Sequence, residues 1–237
     1  MSITQQTHPL RLPRAVLLLG YLGLIGALVS TYFDPATGYE VSIYTATTPI
    51  YWIGIAVAVI SALLVVLMAY DRPLGVVALA LLTLAVLSVS ALPLLRGYYF
   101  FGHGDALVHL GWVKDMAYGS LPPVDLLYPG AHLLSVFLSK TAGIAVRQAM
   151  LVVTLLFKLL FVASVPLALY TLYRDTRVIF FGAVSALFFL PINHISTTPT
   201  FHPFSLTVLF SPFIYYLVFA HVTGHQTDDT LPKLLSP

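Results

Sequence analysis

Residues 96–143 read RGYYFFGHGDALVHLGWVKDMAYGSLPPVDLLYPGAHLLSVFLSKTAG, and the rest of the chain is arranged around them. This is the longest interval without a segment able to cross a membrane, and it holds three His, three Asp and two Lys. Apolar residues at helical spacing predict a short helix over 105–118, with Asp105 as its N-cap and Gly119 as its stop. Asp105 and His109 then lie one turn apart on the same face.

The composition around this stretch is that of a membrane protein. Hydrophobic residues make up 59% of the chain and charged residues only 8%, with a mean hydropathy of +0.92, whereas an ordinary soluble domain is roughly 25% charged. There is no Cys, which excludes disulfides and thiolate chemistry. The formal net charge of +2 is too small to indicate a nucleic-acid partner.

Six apolar segments account for most of the remaining chain. They are residues 15–30, 50–70, 74–95, 148–173, 178–192 and 204–220. The fifth is short for a bilayer at about 1.5 Å of rise per residue. The sequence therefore predicts an all-α integral membrane protein with about six transmembrane helices and two interfacial helices in a large outer loop.

The same segments divide the chain into four regions. They are an N-terminal tail over 1–14, a helix pair over 15–73, a membrane region over 74–222 with its outer loop at 96–145, and a polar tail over 223–237. A cleavable signal peptide is the alternative for the first apolar segment, but no small-x-small site follows it, which favours a retained anchor.

The segment 131–142 decides the sidedness of the chain. It is only about a dozen residues long, which favours a helix lying flat in the interface over a seventh span. If it lies flat, six Lys and Arg are cytoplasmic and four are outside; if it crosses, the division becomes five against five. The positive-inside rule favours the flat arrangement. We therefore expect a multi-pass protein of the cell membrane with both termini cytoplasmic and the polar loops facing outwards.

Several polar side chains on the predicted outer side are candidates for a site. Asp105 and His109 suit a divalent metal, a general base with its orienting partner, or a phosphate-bearing ligand; the alternative is that Asp105 only caps a helix. Candidates that could face the same ligand are His103, Tyr128, His132, His194 and His202. Lys158 lies within the fourth segment, where an unpaired ammonium is costly, so it is expected to snorkel, pair with a carboxylate or hold an anionic headgroup.

Two pieces of this region, GDALVHLGWVKDMAYGSLP and LLYPGAHLLSVFLSKTAG, resemble the first large outer loop of the GT-C class of membrane glycosyltransferases. In that class an acidic residue near the start of an outer helix is followed by a Tyr-Pro or Pro-Pro turn and a second interfacial helix. Asp105 matches the acidic position, and Tyr128 and Pro129 match the turn. The resemblance covers residues 74–220. The chain has one Asp where many members carry an acid-x-acid pair, and members usually continue through further spans.

The resemblance implies transfer of a sugar from a polyprenyl-phosphate donor to an acceptor on the outer face. Asp105 would be the base or the ligand of a divalent metal, Mg²⁺ or Mn²⁺, with His109 assisting it, and Arg147 or Lys158 would hold the departing phosphate. It also implies contact with membrane lipid, and either a truncated enzyme or a partner subunit that supplies missing helices.

The alternative class is a non-catalytic polytopic subunit or a transporter fragment. A transporter is expected to have broken helices and polar residues near the midplane in both of its halves. Lys158 and Pro166 are the residues of this chain that fit that pattern, and no second half corresponds to them.

Overall fold

The computed structural model of the chain describes residues 11–70, 72–102, 104–192 and 200–222. Within these ranges the regular structure is helical. The α-helices are α1 Arg11–Tyr32, α2 Ile43–Ala46, α3 Pro49–Ala69, α4 Pro73–Ser90, α5 Leu92–Leu95, α6 Asp105–Tyr118, α7 Gly130–Ala142, α8 Val146–Tyr173, α9 Thr176–Ile192 and α10 Pro203–Val222.

Five of these helices are long and apolar enough to cross a membrane: α1, α3, α4, α8 and α10. The helix at the fifth predicted segment, α9, has 17 residues, and its apolar part, Arg177–Phe188, is shorter than the others. The expected fold class of an all-α protein with several candidate spans is therefore confirmed, whereas a count of six spans goes beyond the lengths of the described helices.

The third predicted segment is divided into two helices. Continuous helix was expected over 74–95, but α4 ends at Ser90, and the short α5 follows from Leu92. Pro93 is the physical reason, because it has no amide proton to continue the helix and restricts the residue before it.

The first two long helices, α1 and α3, pack closely through glycines. A Cβ placed on Gly20 would lie 2.6 Å from Leu81 Cδ2 and 2.8 Å from Ser61 Cβ, and one on Gly54 would collide with the carbonyl of Gly23. Small residues permit such close approach of helix backbones in membrane proteins. This contact joins the predicted N-terminal helix pair.

Helices are present at both positions where the sequence predicts interfacial ones, as α6 and α7. The range of α6 matches the predicted one, and Gly119 adopts the left-handed conformation that ends it, with φ of 79°. The predicted capping role of Asp105 is wrong, because Gly104 occupies the N-cap and Asp105 is the first helical residue without a side-chain cap bond. The carboxylate is therefore available for other contacts.

Arg96 directly follows α5, and its side-chain hydrogen bonds hold the loop between α1 and α3. Its guanidinium donates from Nη1 and Nη2 to the two carboxylate oxygens of Glu40, at 2.6 and 2.9 Å. Asp34 and Thr47 accept further hydrogen bonds from it, and the hydroxyl of Tyr98 donates to Glu40. We call these five residues the Arg96 cluster. The sequence predicts that the loop carrying these two acids faces outwards, but it does not pair them with Arg96.

Candidate functional site

Three segments bring their polar side chains to one point beside α6. Nε2 of His109 lies 3.2 Å from Oδ2 of Asp105, one helical turn away. Nε2 of His202, in the segment before α10, lies 2.9 Å from the same oxygen. Nδ1 of His109 lies 2.9 Å from Nε2 of His132 on α7. We call these four residues the acid–histidine cluster, and they join α6, α7 and the start of α10.

Packing around the cluster fixes the imidazole rings. Leu110, Val113, Met150, Val153, Phe201 and Leu206 form a buried apolar group that joins α6, α8 and α10. Trp112 packs edge-on against His109, and Phe201 packs against both His109 and His132. His109 and His132 are thus buried, at 1% and 0% exposed.

Asp105 opens onto a cavity of about 320 Å³. Its walls are formed by Asp105, His109, Tyr128, His202, Pro203, Phe204 and Thr207. The Asp105 carboxylate is 56% exposed, and its second oxygen, Oδ1, has no hydrogen-bond partner in the described ranges. A ligand in this cavity would therefore meet an open carboxylate oxygen beside two imidazoles, with aromatic and aliphatic walls.

The environment favours neutral imidazoles behind the carboxylate. Burial lowers the pKa of His109 below its usual value; the charge and hydrogen bond of Asp105 oppose this change, and His202 reinforces it. Burial also lowers the pKa of His132, and His109 adds to this effect, while the backbone of Tyr128 opposes it. Removing an ionisable ring from water disfavours its charged form.

The hydrogen-bond network assigns the ring protons. An ionised carboxylate only accepts, so the neutral His109 donates from Nε2 to Asp105 and its Nδ1 is an acceptor. His132 must then donate from Nε2 to His109. Nδ1 of His132 is buried and makes no well-formed hydrogen bond with a described residue. His132 thereby holds His109 in the tautomer that carries its proton on Nε2, the nitrogen directed at Asp105.

The donor set does not fit the expected Mg²⁺ or Mn²⁺. These cations prefer carboxylate, carbonyl and water oxygens, whereas the residues beside Asp105 are imidazoles whose Nε2 atoms are directed at the same oxygen. Across the described ranges, no group of three His, Cys, Asp or Glu side chains is arranged to hold a metal ion. No chemical step below is assigned to a metal.

Some of the site residues predicted from the sequence lie together at the Asp105 cavity, and others do not. Asp105, His109, Tyr128 and His202 line the cavity, and His132 lies behind it, buried beneath His109. His103 and His194, which were predicted to face the substrate, lie outside the described residues.

The two predicted phosphate-binding cations lie elsewhere. Arg147 lines a second groove that is formed by α6, α7 and α8. Lys158 is buried inside the helix bundle, 1% exposed, and its Nζ donates to the hydroxyl of Ser90 at 3.0 Å. Neither cation lines the Asp105 cavity.

Comparison with known proteins adds no relative: no family model, no curated protein and no solved structure matches the chain. The class that the fold defines is a helical membrane-type chain, with five helices in the described ranges long and apolar enough to cross a membrane.

Proposed function

We propose that this chain is a membrane glycosyltransferase-like protein that transfers a sugar from a polyprenyl-phosphate donor to an acceptor at the outer face. The observation that carries the proposal is the open carboxylate of Asp105, held at the wall of a cavity by Nε2 of His109 and Nε2 of His202. The resemblance of the loop carrying Asp105 to that of GT-C enzymes supplies the reaction class.

In this reaction Asp105 acts as the general base. Its free Oδ1 accepts the proton of the acceptor's nucleophilic group as that group forms a bond to the anomeric carbon of the sugar. The bond from the anomeric carbon to the phosphate oxygen breaks, and its electron pair leaves with the polyprenyl phosphate. A carboxylate can perform this step only while it is ionised and turned towards the cavity.

The histidines hold Asp105 in place. His109 donates from Nε2 to Oδ2, and Nε2 of His202 lies 2.9 Å from the same oxygen, so the carboxylate is held at the cavity wall. His132 acts through His109 and is a positioning residue, because its own ring is buried and does not line the cavity. His202 is 38% exposed at the cavity and is placed to donate to a ligand oxygen if it leaves Asp105.

Asp105→Asn tests the proposal. The amide retains the shape of the side chain and removes the base, so transfer from a polyprenyl-phosphate sugar in membrane vesicles is expected to fall by about 100-fold or more. Asp125→Asn is the matched control, because Asp125 is an exposed carboxylate on the same outer segment. Normal transfer by the Asp105→Asn protein, in vesicles where the wild-type chain is active, would show that Asp105 is not the base.

We also propose that α9 crosses the membrane with the five longer helices, which gives six spans and cytoplasmic termini, with α6 and α7 lying in the outer interface. The contact between Asp105 and His202 supports this topology, because the chain leaves that end of the bundle on α8 and must return on α9. A 17-residue helix is about 25 Å long, close to the thickness of the hydrocarbon core.

Cysteine labelling tests this topology on a chain that has no native Cys. A cysteine at Ser120, after α6, is expected to react with an impermeant maleimide added outside intact cells. One at Asp175, in the turn between α8 and α9, should react only after the membrane is opened. Labelling of both cysteines from outside would put Ser120 and Asp175 on the same side of the membrane and would contradict the proposed topology.

A further inference from the structure

A second concave site lies on the other side of α6. Its volume is about 400 Å³, and α6, the end of α7 and the start of α8 form its walls. Three cations line it, Lys114, Lys140 and Arg147, and two tyrosines, Tyr99 and Tyr118, lie beside them. We call these five residues the basic groove.

The basic groove is separate from the Asp105 cavity. Lys114 follows Asp105 by nine residues on one helix, which is two and a half turns at 3.6 residues per turn, so the two residues point to opposite sides of α6. The two sites share no lining residue. A phosphate in the groove would therefore not be the one that leaves the sugar at Asp105, and this inference does not rest on the proposed transfer reaction.

No carboxylate in the described part of the chain balances the charge of the groove. No Asp or Glu lines it, and Lys114, Lys140 and Arg147 make no ion pair with the described residues. Only 11 Lys and Arg occur in the whole chain, so three in one groove are a concentration of like charge that an anion would relieve. Arg96 shows the opposite arrangement, since Glu40 and Asp34 neutralise it.

The groove also has features that suit a phosphate. The guanidinium of Arg147 lies over the ring of Tyr99, 4.3 Å from its centroid, which orients a group whose planar N–H donors match phosphate oxygens. Ala145, Val146 and Arg147 line the groove at the first residues of the 28-residue helix α8. The amide groups there carry the partial positive charge of a helix N-terminus.

The surroundings indicate a membrane lipid as the source of the phosphate. Tyr99 and Tyr118 are largely exposed at the groove, and tyrosine is enriched at the level of lipid headgroups. The adjoining helix α7 exposes Leu133, Leu134 and Phe137, a set of apolar side chains that suits contact with acyl chains. We propose that the basic groove binds the phosphate headgroup of an anionic phospholipid and so fixes the outer helices against the bilayer.

Binding of phosphatidylglycerol to the purified full chain in neutral detergent tests this proposal. We expect phosphatidylglycerol to bind and to raise the unfolding temperature of the protein, whereas phosphatidylcholine and inorganic phosphate at equal concentration should do neither. In the triple variant K114Q/K140Q/R147Q the affinity should fall about 100-fold, because each cation near an anionic headgroup contributes roughly a factor of five. The single variant Lys140→Gln, at an exposed position, should lose roughly that factor of five and serves if the triple variant does not fold.

The matched control is R11Q/R14Q/R72Q, which removes the same charge from exposed positions away from the groove. Its affinity for phosphatidylglycerol should remain within about twofold of wild type, since none of its three cations lines the groove. Equal losses in the two triple variants would overturn the proposal, because binding would then follow net charge alone. Equal binding of inorganic phosphate and phosphatidylglycerol would overturn the assignment to a lipid.

Discussion

The Arg96 cluster and the acid–histidine cluster are two polar groups at the same end of the molecule. They differ in how far their polar atoms are buried and hydrogen-bonded. Arg96 is 2% exposed, and two carboxylates, two hydroxyls and a backbone carbonyl accept its hydrogen bonds. Asp105 is 56% exposed, and only one of its two oxygens contacts a partner among the described residues. One group is closed and the other is open to a ligand.

This difference separates a structural role from a chemical one. A buried network whose donors and acceptors are all paired stabilises one arrangement and leaves little for a ligand to bind. The acid–histidine cluster leaves Oδ1 of Asp105 facing the cavity and Nδ1 of His132 and His202 without partners among the described residues. Substitutions in the closed cluster should therefore alter stability, and those in the open cluster should alter activity.

The largest effect is expected for Arg96→Ala. Removing the guanidinium leaves Glu40 largely buried without its counter-ion, which should lower the free energy of unfolding by about 3 kcal/mol. Denaturation of the purified protein in mixed detergent micelles measures this change. The double variant Arg96→Met with Glu40→Gln should recover much of the loss, because no buried charge remains unpaired. A single variant as stable as wild type would mean that the cluster is not a structural ion pair.

The second effect concerns the open cluster and is a loss of activity. His132→Leu removes the donor to Nδ1 of His109 and should lower sugar transfer by about 100-fold, because His109 then loses the tautomer that faces Asp105. His132→Gln places an amide N–H near the same position and should retain most of the activity.

Two measurements distinguish this positioning role from damage to the fold. The free energy of unfolding should change by only about 1 kcal/mol in His132→Leu, the value of one ordinary hydrogen bond. The pH profile of transfer should shift in His132→Leu and stay unchanged in His132→Gln. Equal activity of the two variants would contradict the assigned tautomers.

Local structure around both clusters was predictable from the sequence. The spacing of apolar residues and the position of Gly119 predicted the range of α6, and the observed helix agrees because both signals act within a few residues. The short length of the segment at α7 likewise predicted a helix too short to span a bilayer, and α7 has 13 residues. Pro93 was also a local indication of a helix break, but the continuous hydrophobic run over 74–95 led to the prediction of a single helix.

Long-range pairing was not predictable in the same way. Glu40 and Arg96 are 56 residues apart, and His109 and His132 are 23 apart. Periodicity identifies the face of a helix on which a side chain lies, but not the loop that it meets. The outer polar residues were expected to converge on one site, and the structure divides them among the Arg96 cluster, the acid–histidine cluster and the basic groove.

The smallest effect is a difference between the two clusters in the pH at which each loses its contribution to stability. The pKa of His109 lies below its ordinary value of 6.5, so the unfolded chain binds a proton first as the pH falls. The stability that neutral His109 contributes is complete above pH 6.5 and is lost as the pH falls from there through its folded pKa. The open cluster should therefore respond first.

The Arg96 cluster should respond only in more acidic solution. Burial alone would raise the pKa of Glu40, but the hydrogen bonds of Arg96 and Tyr98 and the charge of Arg96 outweigh it and hold this pKa below 4.5. The contribution of Glu40 is thus complete above pH 4.5 and is lost below it. Denaturation between pH 7.5 and 4 should show that His109→Gln weakens the dependence below pH 6.5, to which the lowered pKa of His132 also contributes, and that Glu40→Gln removes only the part below 4.5. A reversed order would mean that burial does not govern the open cluster, since burial is the largest of the effects on the pKa of His109, and with the charge of His202 it outweighs Asp105.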